Sequence, residues 1–392
     1  MEELTATARV GFVLDDAEVL QQHAWITAAR VHGLIATAMG EARRHPELFV
    51  DEQMLRGDAI ELAERAVVAD LAARLSMGEG SVRMHDLDAT TLQHRLPGIW
   101  AAFTDGAVPT QNAREAASLV RDLPEPGWAA FESAVLGFAL LAPARFKRKA
   151  AALARRLGDA AQRERVRRAR GVWCDPGPDG MGFLSASLPN ETLAAAQARL
   201  DAAAFQLFKR ADEERTMDQL RADILGDWLT GAGTDAPVGV TVALTVPMLS
   251  LLGASDAPAV LEGVGPIDLE TARRLTAETP SLTRLLTDPV SGAILTMDAR
   301  QYTPTAALRR WLRHRDVTCT FPGCGRSAAR CDLDHVTAWS DHGTTTADNL
   351  AHLCRKHHTL KHQSRWQVER ADGRTTWSSP TGYRVSADPP PF

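Results

Sequence analysis

The sequence lacks a long apolar run and an apolar segment at its start. The longest apolar run, AVLGFALLAPA at residues 134–144, is too short to cross a bilayer. The acidic start MEELTATARV has no apolar core of a signal peptide. We therefore predict a cytoplasmic protein without membrane segments. We also find no internal repeat and no low-complexity segment.

Tyrosine is scarce, with two residues in 392, whereas alanine and arginine are abundant, which favours helix. The length allows two or three domains. The net charge of −5 is unevenly distributed, because residues 305–365 hold ten Lys/Arg against five Asp/Glu. A basic segment inside an acidic protein indicates a polyanionic partner.

Hydrophobic spacing predicts a mainly α protein with an α+β middle region. Strands are predicted at residues 180–189 and 238–246, and a hairpin-like pair at 291–304. The segment 141–170 is helical and carries eleven Lys/Arg against two acids. Its charges form either a solvated helix face or a contact with a phosphate backbone. We predict four parts: a mainly helical part at 1–170, an α+β part at 171–304, a compact module at 305–365, and a hairpin with a disordered tail at 366–392.

Cysteine and histidine are concentrated near the C-terminus. Four of the five cysteines lie between residues 319 and 354, and seven of the twelve histidines between 314 and 362. Two close pairs, Cys319 with Cys324 and Cys354 with His357, have the layout of a structural zinc site. All four coordination positions of the ion are then filled by protein ligands. The ion would therefore stabilise the fold of a small module and would not take part in a reaction. The alternative is a coincidence of buried cysteines, and Cys331 is predicted to be a small core residue that starts a strand.

The segment DLDHVTAW places Asp334 beside His335 on a predicted strand. Their side chains face opposite sides of a regular strand, unless a bulge turns one of them. A carboxylate next to an imidazole suits two roles, in which one holds a metal and the other takes a proton. The alternative is an exposed acid beside a packed histidine. Asn349 stands at the predicted entry of the last helix, which it could simply cap.

The predicted last helix carries two adjacent histidines, His357 and His358. Adjacent side chains on a helix point about 100° apart. His358 and His362 stand four residues apart and share a helix face, so both can reach one metal. His357 then faces the zinc site instead. His342 is predicted to be a turn residue and His352 a helix-surface residue.

These residues carry a resemblance to two families. The order Asp334–His335, Asn349 and His358, flanked by the cysteine pairs, resembles the zinc-stapled branch of the HNH endonucleases. Upstream, the segments DEERTMDQLRAD, GVGPI, LLTDPVSGAIL and RDVTCTFPGC resemble the bacterial domain-of-unknown-function family 222, including 13E12-repeat proteins. The resemblance runs from about residue 20 to the tail and implies little about the N-terminal part.

For the C-terminal module the resemblance implies a ββα-metal finger and a set of roles. His335 would be the general base, and Asn349 would orient it. Asp334 and His358 would hold one divalent ion (Mg²⁺, Mn²⁺ or another transition metal), with His362 as a third ligand. A structural Zn²⁺ would lie in the cluster with His357, a position where the four-cysteine version of the site has cysteine.

We therefore predict a metal-dependent endonuclease that hydrolyses phosphodiester bonds in DNA. Cationic side chains around the site are predicted to contact phosphates, at Arg326, Arg330, Arg355, Lys356 and Lys361. One alternative is a non-catalytic nucleic-acid-binding module held by zinc. Another is a nuclease of RNA, although the aromatic platforms of single-strand readers are missing. The N-terminal helices could read DNA, bind a partner or form a homo-oligomer.

Overall fold

The computed structural model of the chain is mostly helical, with small sheets, as predicted. It describes residues 6–159 without residue 56, residues 164, 167–177, 181–210 and 212–231, the pieces 244–245, 259–261 and 265–277, and residues 304, 306–371 and 374–387. Contacts divide the chain into two units, one of residues 1–162 with 283–392 and one of residues 163–282. Within the described residues, no helix is both long enough and apolar enough to cross a membrane.

Seven helices open the first unit and confirm the predicted helical character. They are α1 (Ala6–Arg44), α2 (Ala59–Leu75), α3 (Glu79–Arg95), α4 (Pro97–Thr104), α5 (Thr110–Arg121), α6 (Trp128–Leu136) and α7 (Pro143–Leu157). Their alanine-rich faces pack into two clusters, one among α1, α2 and α3 and the other along α3 to α7 around Phe103, Phe131 and Phe146. Ser76 caps the C-terminal end of α2, and its left-handed φ of 51° turns the chain toward α3.

The basic segment begins with α7, whose apolar side faces the core. Phe146, Ala150 and Ala154 are buried there, while the charged residues lie on the other face. Lys147 pairs with Glu115 at 3.6 Å. This part of the segment is thus an amphipathic surface helix, and whether its charges also contact phosphates stays open.

The second unit mixes small sheets with helices. Strands β1 (Gly171–Pro176) and β2 (Gly182–Ser187) form an antiparallel pair. Helices α8 (Asn190–Phe208) and α9 (Met217–Thr230) pack together, and α9 starts at a capping box between Thr216 and Gln219. The remaining elements are β3 (Leu244–Thr245), β4 (Ala259–Leu261), β5 (Gly265–Ile267) and α10 (Leu269–Ala277). Only Leu244–Thr245 of the predicted strand at 238–246 is described, and residues 291–303 of the predicted hairpin lie outside the described residues.

The C-terminal part of the first unit carries the predicted site. Its elements are α11 (Ala306–Asp316), β6 (Cys331–His335), β7 (Leu350–Cys354), α12 (Arg355–Gln363), β8 (Gln367–Ala371), β9 (Arg374–Ser378) and β10 (Arg384–Ser386). Strands β6 and β7 are antiparallel, and β8, β9 and β10 form a three-stranded antiparallel sheet in the region of the predicted hairpin. Residues 388–392 of the predicted disordered tail lie outside the described residues.

The prediction for His352 was wrong, because the last helix begins at Arg355 and not near Asn349. Residues 350–354 form β7, and His352 is 2% exposed there instead of lying on a helix surface. All five residues of β7 are buried. Leu350 packs against α11, and Leu353 packs in the tryptophan-containing cluster beneath the module. A strand covered on both faces shows no alternation of polar and apolar residues, and so its sequence does not separate it from a helix.

The C-terminal module shares a hydrophobic cluster with α2. Ala66 and Ala69 of α2 pack with Trp366 and Trp377, among others. The indole N–H of Trp366 donates to the Ala66 carbonyl at 3.2 Å. The helices and the module are therefore packed as parts of one core.

Candidate functional site

Three cysteines and one histidine converge in the module. The ligand atoms of Cys319, Cys324, Cys354 and His357 all lie within 4.8 Å of one another. His357 Nδ1 lies 3.4 Å from the sulfurs of both Cys319 and Cys354. In a tetrahedral site with Zn–S of about 2.3 Å and Zn–N of about 2.0 Å, sulfur and nitrogen lie about 3.5 Å apart. The donor set and its spacing therefore fit a zinc ion.

Local turns bring these donors together. Gly323 has a left-handed φ of 72° in the turn between the first two cysteines, and the Cys324 amide donates to the Phe321 carbonyl at 3.1 Å. The contact with Cys319 raises the pKa of the Cys324 thiol, above all other causes. Thiols packed this closely cannot all ionise without a cation among them, which also favours a bound metal. Cys331 lies outside this set of four and starts β6, where its thiol donates to the Ser327 carbonyl at 3.3 Å.

A second cluster joins β6 to α12. One atom each of Asp334, His358 and His362 fall within 4.8 Å of one another. Nε2 of His362 lies 3.0 Å from Asp334 Oδ2, and Nε2 of His358 lies 3.7 Å from Oδ1. Two donors on one ion at about 2.1 Å lie about 3.0–3.5 Å apart. A carboxylate with two imidazoles is a donor set for a divalent ion of the Mn²⁺ to Zn²⁺ series.

The protonation states of this cluster suit metal binding. Burial raises the pKa of Asp334, but the contacts with His362 and Lys361 outweigh it and lower that pKa to about 2. Burial lowers the pKa of His358. An ionised carboxylate and a neutral imidazole are the forms that bind metals.

The two lysines among the five predicted phosphate contacts, Lys361 and Lys356, are already paired within the protein. The Lys361 side chain is 9% exposed, and its ammonium lies 2.7 Å from Asp334 Oδ2 and also donates to the His335 carbonyl. Lys356 is likewise engaged, with its ammonium on Glu79. Arg326, Arg330 and Arg355 are exposed, and Arg355 lies 3.7 Å from Asp332. Phosphate contact stays a prediction for all five, and the exposed arginines are the better placed for it.

His335 follows Asp334 at the end of β6 and is not one of the three donors of the second cluster. Its imidazole is buried, and Nε2 lies 3.0 Å from the Thr345 hydroxyl. Burial lowers the pKa of His335, which keeps the ring neutral near pH 7. A neutral imidazole is the form that a general base requires.

Asn349 ties down the connection between β6 and β7 and does not cap α12. Its Oδ1 accepts from the Thr337 amide at 2.8 Å, and its Nδ2 donates to the carbonyls of Thr337 (3.0 Å) and Thr344 (2.9 Å). The same connection carries Thr345. A Cβ added to Gly343 would lie 2.0 Å from the Thr337 carbonyl oxygen, so only glycine fits there.

Sequence analysis missed two residues that support this site. Thr345 gives no sequence signal, since it is the middle of three consecutive threonines. Asp316 at the end of α11 accepts from the His352 amide at 3.0 Å and lies 2.8 Å from His352 Nδ1. The buried Asp316–His352 pair fixes β7 against α11, and its residues stand 36 positions apart, beyond any local pattern.

A third group of titratable residues lies among the N-terminal helices. Nδ1 of His32 donates to the Ala28 carbonyl at 2.6 Å, and its Nε2 faces His85 Nδ1 at 2.6 Å. Asp88 belongs to the same group and pairs with two arginines, Arg114 and Arg121. Hydrogen bonds and ion pairs within the protein thus account for the group.

Comparison with known proteins identifies two regions of the chain. The family model for a domain of unknown function (DUF222) matches residues 29–316, and the HNH endonuclease model matches residues 318–364. The uncharacterized proteins MT2160 and Rv2100 of two Mycobacterium tuberculosis strains are each 30% identical over 234 residues, covering 45% of this chain and 42% of their own length. The uncharacterized protein Rv3776 of the same species is 41% identical over 90 residues, or 22% of this chain and 17% of its own length. The chain spans less than half the length of these relatives, and no solved structure matches it significantly.

Proposed function

Because this chain belongs to the DUF222 family and carries an HNH endonuclease region behind it, we propose that it is a metal-dependent endonuclease hydrolysing phosphodiester bonds in DNA. The observation that carries the proposal is the cluster of Asp334, His358 and His362 beside the buried, neutral His335. A purely structural role for that cluster would not require two imidazoles and a carboxylate on a partly exposed face. We propose boundaries of 305–365 for the module, as the sequence predicts.

In this proposal β6, β7 and α12 form a ββα-metal finger. Strand β6 supplies Asp334 and, at its end, His335, and α12 supplies two histidines from one face. Zinc in the cluster of Cys319, Cys324, Cys354 and His357 would fix where α12 begins. We also propose a last part at 366–392, a hairpin with a tail, as the sequence predicts; of its described residues, Trp366 and Trp377 pack in the cluster shared with α2.

The chemistry divides between a bound divalent ion and the protein. When bound by Asp334, His358 and His362, the ion would stabilise negative charge that develops on the phosphate. His335 takes a proton from the attacking water, and the Thr345 hydroxyl holds its imidazole in place. Asn349 keeps the connection that carries Thr345 closed on β6. The expected products carry 5′-phosphate and 3′-hydroxyl ends.

The test is plasmid nicking by the full-length protein in Mg²⁺ or Mn²⁺. His335→Ala should lower the nicking rate by about 10²–10⁴-fold, since this is what a general base contributes. His342→Ala is the matched control, because His342 is an exposed turn residue outside the metal clusters. Full activity of His335→Ala would refute this mechanism.

Two outcomes would replace the proposal with another function. If the wild-type protein binds DNA but cleaves no substrate and holds one ion, it is a zinc-stapled nucleic-acid-binding module. A second divalent ion in elemental analysis supports the nuclease. Cleavage of RNA in preference to duplex and single-stranded DNA would make it an RNA-directed nuclease.

The partner predictions beyond nucleic acid stay open. The first half of α1 exposes apolar side chains that a homo-oligomer could cover, at Val10, Phe12, Val13, Leu14, Val19 and Leu20. Their burial between copies would agree with self-association through the N-terminal helices.

A further inference from the structure

Helix α3 begins next to the cysteine cluster, although it belongs to the region that matches DUF222. The connection between α2 and α3 is three residues long, and Ser76 and Gly78 cap the two helices on either side of it. This tight turn places Glu79, the first residue of α3, against α12. A carboxylate in the first helical turn also interacts favourably with the helix dipole.

Glu79 contacts the ring nitrogen of His357 that faces away from the cysteines. Oε1 of Glu79 lies 2.7 Å from His357 Nε2, whereas Nδ1 of the same ring lies 3.4 Å from the sulfurs of Cys319 and Cys354. The Nε2–H therefore donates to the carboxylate, and the Nδ1 lone pair points into the cluster. This is the arrangement in which a metal-binding histidine is held by an outer carboxylate.

The ring has little freedom to adopt another orientation. The His357 side chain is 3% exposed and that of Glu79 17% exposed. Phe321 stacks on the imidazole, with ring centroids 4.0 Å apart and planes at 18°. The Lys356 ammonium contacts the second carboxylate oxygen of Glu79. A surface ion pair would leave both groups in water, but here the imidazole is buried and the carboxylate is largely shielded from solvent.

We propose that Glu79 is a positioning residue for the zinc site, and that the DUF222 helices thereby set the metal affinity of the nuclease module. The inference rests on the zinc site of the proposed function, but not on cleavage of any nucleic acid. The N-terminal region then has a defined physical task, because it supplies the acceptor that fixes the tautomer and orientation of the fourth ligand. The two regions matched by separate family models act as one metal-binding unit.

The experiment measures the affinity of the full-length protein for Zn²⁺ by competition with a chromophoric chelator. Loss of an outer-sphere partner weakens metal binding by about 10–100-fold, so Glu79→Ala should fall in that range. Glu79→Gln keeps an acceptor oxygen without the charge and should be affected less. Glu61→Gln is the matched control, because Glu61 lines the same cleft but pairs with Arg65.

A second background separates positioning from general stability. In His357→Cys the fourth ligand is a thiolate with no N–H to orient, and four cysteines still make a zinc site. Glu79→Ala should therefore lose most of its effect on zinc affinity in that background, as a double-mutant cycle measures. A residue that only stabilises the fold would weaken zinc binding equally in both backgrounds.

The outcomes distinguish the inference from the proposed function. Wild-type affinity in Glu79→Ala, or an equal loss in both backgrounds, overturns the role of Glu79 and leaves the zinc site standing. A wild-type protein that binds no zinc overturns the zinc site itself, and Glu79 with it. If Glu79→Ala does not fold, the same two comparisons are made with Glu79→Gln, with Co²⁺ spectra reporting thiolate and imidazole ligation.

Discussion

Replacing Asn349 tests how the connection between β6 and β7 supports the proposed base. Its amide makes three hydrogen bonds to that connection, two to the backbone of Thr337 and one to the Thr344 carbonyl. Thr345 follows directly, and its hydroxyl contacts the His335 imidazole at 3.0 Å. Asn349 thus acts on His335 through the loop, without touching the ring.

The magnitude follows from these three bonds. A hydrogen bond contributes about 0.5–1.5 kcal/mol net, so Asn349→Ala, which loses three, should destabilise the closed loop by about 1.5–4.5 kcal/mol. Asn349→Asp keeps the acceptor for the Thr337 amide but turns a carboxylate oxygen toward two carbonyl oxygens. It should therefore open the loop at least as much. A displacement of the base by about 1 Å costs on the order of 10²-fold in rate.

The assay is single-turnover nicking at saturating metal, with zinc content measured in the same preparations. Both variants should lose about 10²-fold in rate and keep their zinc. Asn190→Ala, an exposed residue at the start of α8, is the control. Wild-type rates in Asn349→Ala would refute the argument. Full activity in Asn349→Asp alone would show instead that the loop stays closed with a carboxylate at this position, which refutes the argument from the two Nδ2 bonds.

Two further predictions concern stability. Trp366→Phe removes the indole donor to the Ala66 carbonyl and should lower the free energy of unfolding by about 0.5–1.5 kcal/mol in urea titrations; no change would mean that this hydrogen bond does not stabilise the packing of the module on α2. Burial is the main cause and the neighbouring His32 the second cause that lower the pKa of His85 to about 4. The unfolded chain then binds a proton near pH 6.5 that the folded chain does not, so stability should fall as pH drops from about 6.5 to 4, and less steeply in His85→Gln. Equal slopes in both proteins would contradict this.

The ligand pairs within the two clusters were predictable because each pair depends on local spacing. A cysteine pair across a Pro-Gly turn and a Cys–His pair in one helical turn leave few ways to arrange four donors. In the same way, His358 and His362 share a face by helical geometry alone. The structure brings these residues together, while their chemical roles stay predictions until they are tested.

The parts that could not be predicted depend on contacts between distant residues. Strand β7 is covered on both faces and so shows no alternation of polar and apolar residues, and it was therefore merged with the helix that follows. Asp316 and Glu79 act on His352 and His357 across 36 and 278 positions. Local propensity carries no information about such pairs, since each residue has an ordinary role within its own helix.

Helix α12 contributes histidines to both candidate metal clusters. It has nine residues, and isolated helices shorter than about 12–15 residues are marginal in water. Its order must therefore come from the groups that anchor its inner face, which are Leu360 in the core and His357 in the cysteine cluster. His358 and His362 lie on the partly exposed face of the same short helix. In the proposed function, a zinc ion that never touches substrate would thus help to hold the second cluster in place, and Glu79 would contribute to this from outside the module.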